Sequence, residues 1–151
     1  MRRQVAALAA MMVVAGCQAT LGGPTRPGVG VEGHGRPKIV LSNATAEPGG
    51  AATITATLQT GGASIAGTQN DITFDPKSIA IARKANGKPD CRANAGISKE
   101  GTAFNFLPQR CAPGTCDTVR VLVLSLSNVD PIADGSVLYT CTVEVVGGFR
   151  A

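Results

Sequence analysis

Ala51-Ala52-Thr53-Ile54-Thr55-Ala56-Thr57-Leu58-Gln59 alternates apolar and polar residues over most of its length. Successive side chains of a β-strand point to opposite faces. Ala52, Ile54, Ala56 and Leu58 therefore line one side, and Thr53, Thr55, Thr57 and Gln59 line the other. This pattern describes a half-buried strand with one wet face, as in an antiparallel sheet that covers a core on one side only. Pro48-Gly49-Gly50 turns the chain into the strand and Gly61-Gly62 ends it.

The same period of two runs outward in both directions. Lys38–Ser42 is a first strand. Beyond the glycines, Ile65–Asp75 is a third, with Ile72 and Phe74 inward, closed by Asp75-Pro76. Ser78–Ala82 is a short fourth strand, and Arg83–Asp90 is a polar loop. Cys91–Ile97 and Thr102–Leu107 then suggest a hairpin about Lys99-Glu100-Gly101, with Phe104 and Phe106 pointing the same way. Thr118–Asn128 is the most apolar strand. Val119, Val121 and Val123 alternate there with Leu122, Leu124 and Leu126, so it is expected to be central or covered on both sides. Val137–Val146 closes the series, and residues 147–151 form a tail. Eight short strands with turn signals between them and no helical segment predict an all-β, antiparallel β-sandwich.

Composition narrows the function. Aromatic residues are 3% of the chain, with no Trp and one Tyr, which disfavours base or sugar stacking. The single His is His34, in a Gly-rich stretch that lacks the set of partners a metal site needs. Two of the 14 basic residues, Arg2 and Arg3, lie at the extreme N-terminus, so the rest of the chain is nearly balanced against its 10 acidic residues. The nearest thing to a basic stripe is Arg83, Lys84, Lys88 and Arg92, in a loop that also holds Asp90. Nucleic acid is accordingly not expected as a partner.

The N-terminus carries an address. Met1-Arg2-Arg3 is a positive start, and Val5–Val14 is an uncharged run too short to span a bilayer. It ends in Val14-Ala15-Gly16-Cys17, which resembles the bacterial lipoprotein box. The resemblance implies a signal peptide over residues 1–16 and a lipidated N-terminal Cys17. An acylated cysteine with two or more chains anchors stably. Gln18 after the box, in place of Asp, points to the outer membrane of the cell envelope. Residues 17–37 then form a lipidated, Gly- and Pro-rich tether, and Gln18–Arg36 would reach about 25 Å as a flexible chain. The folded domain is expected over residues 38–146.

Four cysteines, Cys91, Cys111, Cys116 and Cys141, fall in that domain. An even number in an exported domain implies two disulfides. If the hairpin turns at Gly101, Cys91 faces Cys111, which favours Cys91–Cys111 with Cys116–Cys141. Cys111–Cys116 with Cys91–Cys141 stays open as the alternative. A zinc site is disfavoured, because no His lies in the domain.

The order of features resembles the cohesin domain, whose fold is shared with a group of cellulose-binding modules. Pro48-Gly49 precedes the alternating strand. Ile65-Ala66-Gly67-Thr68-Gln69-Asn70-Asp71-Ile72-Thr73-Phe74-Asp75-Pro76 follows, then Val119-Arg120-Val121-Leu122-Val123, Pro131-Ile132, Asp134-Gly135 and the last strand. The resemblance covers about Lys38 to Val146. It implies a cohesin-like sandwich of jelly-roll type, with the Gly67–Pro76 strand in the middle of one sheet. The four cysteines are an addition to the usual cohesin pattern.

These readings converge on a lipid-anchored, non-catalytic binding module. Its expected partner is a protein, dockerin-like by the resemblance, and the wet threonine face of Thr53, Thr55, Thr57 and Gln59 is the candidate surface. The alternative is a polysaccharide, held as by the related cellulose-binding modules, with Phe74, Phe104, Phe106, Tyr139 and Phe149 the only rings available. No enzyme is expected, because no nucleophile, base and orienting group are grouped. No cofactor is expected either. Calcium stays in view as an ion, through Asp71, Asp75, Asp130 and Asp134, although Asp75-Pro76 and Asp134-Gly135 are also ordinary turn sequences.

Overall fold

The computed structural model describes residues 35–146. The expected signal peptide, Cys17, His34, most of the expected tether and the tail with Phe149 lie outside the described residues. The chain is all-β, with strands β1 (Lys38–Leu41), β2 (Ala51–Gln59), β3 (Thr68–Thr73), β4 (Ile79–Ile81), β5 (Cys91–Ala93), β6 (Ala103–Leu107), β7 (Thr118–Val123) and β8 (Val137–Val145). One 3-10 turn, Ala95–Ile97, is the only helical element among them.

Every pairing is antiparallel. The first sheet runs β1-β2-β8, with β4 and β5 both paired to the far side of β8; the second runs β3-β7-β6. Inward residues of both sheets form one core: Ile54, Ala56, Leu58, Leu138, Tyr139, Cys141 and Val143 from the first, Ile72, Phe106, Val119, Val121 and Val123 from the second. This arrangement fits a β-sandwich. β7 is the central strand of its sheet, and its three valines are fully buried. The Gly67–Pro76 segment, expected mid-sheet, instead forms the edge strand β3.

β8 contains a bulge. Its partners on β2 run in step from Ala51↔Glu144 to Ala56↔Tyr139, then shift so that Thr57 faces Val137. Leu138 is the extra residue, and it and Tyr139 are both fully buried. The bulge therefore adds a large side chain to the core that strict alternation would have turned outward.

The expected hairpin between residues 91–97 and 102–107 does not form. β5 pairs with β8 in one sheet and β6 with β7 in the other. The cause is local. Asn94 accepts a hydrogen bond from the Gly96 N–H and donates one to the Val137 carbonyl, and Ser98 adopts a left-handed φ of 50°. The chain is thereby turned across the core from one sheet to the other. Gly101 follows, where a Cβ would meet the Leu124 side chain and carbonyl.

Without the hairpin, Cys91 no longer faces Cys111. It lies opposite Cys141 in the β5–β8 register, and the two are bonded, with Cα atoms 4.0 Å apart. Cys111 is bonded to Cys116, closing the Ala112-Pro113-Gly114-Thr115 turn. The favoured sequence pairing is thus corrected to the alternative.

The strand expected to run to Asn128 stops at Val123. Ser125 Oγ donates to Glu100 and accepts from the Ser127 and Asn128 N–H groups, so the chain bends away from the ladder. Leu126, expected on a strand face, stands in solvent instead.

Candidate functional site

The threonines assigned from sequence lie together on the outer face of the first sheet. Thr53 and Gln59 are exposed, while Thr55 and Thr57 are half-buried. The register adds two residues that strand-by-strand reading does not assemble. Thr142 lies opposite Thr53 and Thr140 opposite Thr55, so two threonine pairs stand side by side across β2 and β8. Neighbouring strands are about 4.8 Å apart and alternate residues along a strand about 6.7 Å apart, so the hydroxyls and methyls form a regular grid. Val40 and Lys38 extend it on the β1 side, opposite Thr57 and Gln59. Arg92, opposite Thr140, and Glu144 edge it on the other. The face is polar, mixed in charge at its rim and without a nucleophile–base pair. It can offer hydrogen bonds and small apolar contacts to a partner surface, but it holds no group positioned for bond-making chemistry. Alternation in Val137–Val145 carried the signal for Thr140 and Thr142; their pairing with β2 did not show in it.

A second surface is the groove beside the Cys111–Cys116 disulfide. It encloses about 330 Å³ and is lined by Arg83, Lys88, Asn105, Gln109, Arg110 and Cys111, among others. Arg83 organises it. Its guanidinium lies 4.2 Å above the Phe106 ring, donates to the Gly87 and Cys111 carbonyls at 3.0 Å each, and reaches Cys116 Sγ at 2.6 Å. The basic loop noted in the sequence thus includes one cation held against the core, and Lys84 is tied to the Cys91 carbonyl.

The four aspartates considered for calcium do not converge. Asp71 forms a two-pronged pair with Arg120, whose guanidinium holds the carboxyl below its ordinary range. Asp75 caps the turn after β3 by accepting from the Lys77 N–H and the Ser78 hydroxyl, which lower it likewise. Asp134 accepts from the N–H and hydroxyl of Thr60, and these bonds again favour the carboxylate. The Asp130 carbonyl accepts from Lys99. Among the described residues no group of three or more His, Cys, Asp or Glu is placed to hold a metal ion.

The aromatic rings face inward. Phe74, Phe106 and Tyr139 are buried, and the half-buried Phe104 packs edge-on to Tyr139 with centroids 5.6 Å apart. Phe104 alone of the four is partly accessible, in a groove it lines with Lys84, Lys88 and Thr102.

The most concentrated polar network is none of those expected. Glu100 accepts from the hydroxyls of Ser125, at 2.6 Å, and Ser127, and these bonds hold its carboxyl down to about 2. Beside it, Lys99 is buried and donates to the Asn128 and Asp130 carbonyls at 2.8 Å each. From sequence, Lys99-Glu100 reads only as part of a hairpin turn. The signal for its second role was the Ser125, Ser127 and Asn128 cluster, which interrupts an otherwise apolar strand. Among the described residues no helix is long and apolar enough to cross a membrane.

No family model, curated protein or solved structure matches this chain.

Proposed function

We propose that the chain is an exported, lipid-anchored binding module that docks a protein partner through the outer face of the first sheet. The observation that carries this reading is the cross-strand threonine grid of Thr53, Thr55, Thr140 and Thr142. It is an extended polar surface on a stapled body, with no reactive group on it. The cohesin-like order of sequence features supports a docking role and a jelly-roll connection. The lipoprotein-box resemblance at Val14–Cys17 supports attachment at the envelope, by preference the outer membrane. In this reading the module works by presentation: the sheets fix the grid, and the tether keeps it at the envelope.

The test is site-directed. Full-length protein carrying Thr53→Arg and Thr142→Arg is compared with protein carrying Asn105→Arg on β6 of the second sheet. Thr53 and Asn105 are exposed and Thr142 is half-buried on an outer face, so folding is checked by an unchanged melting temperature. Loss of a stoichiometric envelope-protein complex in the first variant and its retention in the second support the reading. Equal retention in both removes the grid from it.

A further inference from the structure

Leu126 and Val129 are 93% and 75% exposed, the most exposed large apolar side chains among the described residues. Both stand in the loop from β7 to β8. That loop is firmly built. Ser125 and Ser127 bind Glu100, Ser125 Oγ caps the Ser127 and Asn128 N–H groups, and Asn128 Oδ1 accepts from the Asp130 N–H. The buried Lys99 ammonium holds the Asn128 and Asp130 carbonyls from below. With these backbone groups tied down, the loop holds two aliphatic side chains out in water. An exposed apolar pair on a fixed support is what a contact surface requires.

The position of the loop says what the contact is. The loop after β2 and the loop before β8 share one end of the molecule: Ile132 N–H donates to the Ile65 carbonyl and Thr60 N–H to Asp134. Residue 35, where the described chain begins, lies at that same end. Gly35 packs on Gly61, where a Cβ would overlap the Gly35 backbone. The segment carrying Cys17 is thus joined to the domain at the end that displays Leu126 and Val129. The turn closed by Cys111–Cys116 is at the opposite end, beyond the Leu107↔Thr118 pair.

We infer that this end of the domain rests on the lipid surface, with Leu126 and Val129 inserted at the level of the headgroups and the first acyl carbons; the inference rests on the lipid-anchor reading of Cys17. Two aliphatic side chains alone bind a bilayer weakly. A tether converts that weak contact into an intramolecular one at high effective concentration, so it persists. Ser127 and Asn128 between them suit the polar interfacial layer, and Asp130 on the same loop, with Glu100 bonded to it from the β5–β6 loop, disfavours a strongly anionic surface. The domain then stands end-on, with its strands directed away from the membrane and the threonine grid turned sideways.

The sequence contains no Trp, so one introduced indole reports alone. Full-length protein purified with its native N-terminus carries Leu126→Trp, Val129→Trp or, at the opposite end, Ala112→Trp. Each is placed in vesicles of phosphatidylethanolamine and phosphatidylglycerol with lipids brominated near the headgroup end of the chains. The expected result is a blue-shifted emission at positions 126 and 129, with quenching about threefold stronger than at 112. Equal quenching at all three positions, in protein that floats with the vesicles, overturns the end-on contact and leaves the anchor standing. Absence of acyl groups on Cys17 by mass spectrometry overturns both. A blue shift at 126 that appears only on adding an envelope protein, and not with vesicles, overturns the lipid contact in favour of a protein one.

Discussion

The Tyr139 hydroxyl, on β8, accepts a hydrogen bond from Asn70 Nδ2, on β3, at 2.8 Å, and so links the two sheets through the core. Tyr139 is fully buried, and Asn70 Oδ1 has no partner of its own among the described residues. The bond therefore sets the relative position of the sheets where apolar contacts alone would allow sliding.

Tyr139→Phe keeps the ring but leaves the Asn70 amide unpaired. The expected loss is about 1–2 kcal/mol, the cost of an unsatisfied buried donor, read from urea unfolding. Burial also pushes the Tyr139 hydroxyl up to about 12. The folded value lies above the unfolded value near 10, so the associated stability is complete below pH ~10 and disappears as pH rises toward 12. The shift corresponds to about 2–3 kcal/mol, and the alkaline decline should be shallower in Tyr139→Phe.

The two disulfides differ in reach. Cys91–Cys141 spans 50 residues and Cys111–Cys116 spans 5. Loop entropy assigns them about 4 and about 2 kcal/mol. Replacing both cysteines of the long bridge with serine should lower the melting temperature more than replacing both of the short one. Peptide mapping under non-reducing conditions checks the connectivity directly.

Glu100 is held low by the Ser125 and Ser127 hydroxyls. Its folded value is below the unfolded one of 4.5, so the loop gains support above pH 4.5 and loses it as pH falls toward about 2. Amide-exchange protection factors at Ser127 and Asn128, taken relative to the intrinsic rate at each pH, should fall through that acid range. Glu100→Gln should show fast exchange at neutral pH, with little change elsewhere.

Lys99→Met removes the donors to the Asn128 and Asp130 carbonyls while keeping most of the apolar stem. Two carbonyls left without these partners should cost about 1–3 kcal/mol and open the β7–β8 loop to proteolysis. Arg120→Ala provides the contrast. Its pair with Asp71 is 47% and 36% exposed, so the expected change is below about 1 kcal/mol.

The strands were legible because period two is written locally. Ala51–Gln59 needed nothing beyond its own residues, and the valines of β7 announced a central strand. Pairing was less legible, since a strand's pattern fixes its faces and not its neighbour. Cys91 showed this: its partner depended on whether the chain turned back at Gly101 or crossed the core, and Asn94 and Ser98 decided that through bonds to distant Val137 and to their own turn. Leu126 misled for a related reason. Its place in the apolar alternation continued past Val123, but Ser125 had already found Glu100. Of the candidate surface, Thr53, Thr55, Thr57 and Gln59 were visible in sequence, and Thr140 and Thr142 joined them only through register.

β8 is the last strand in the described chain, yet β2, β4 and β5 all hydrogen-bond to it. A nascent polypeptide that has not yet delivered Val137 can close the β1–β2 ladder but has nothing on which to seat β4 or β5. The first sheet cannot be completed until Val137–Val145 is delivered, and until then Cys91 remains a thiol without its proper mate, open to bonding elsewhere.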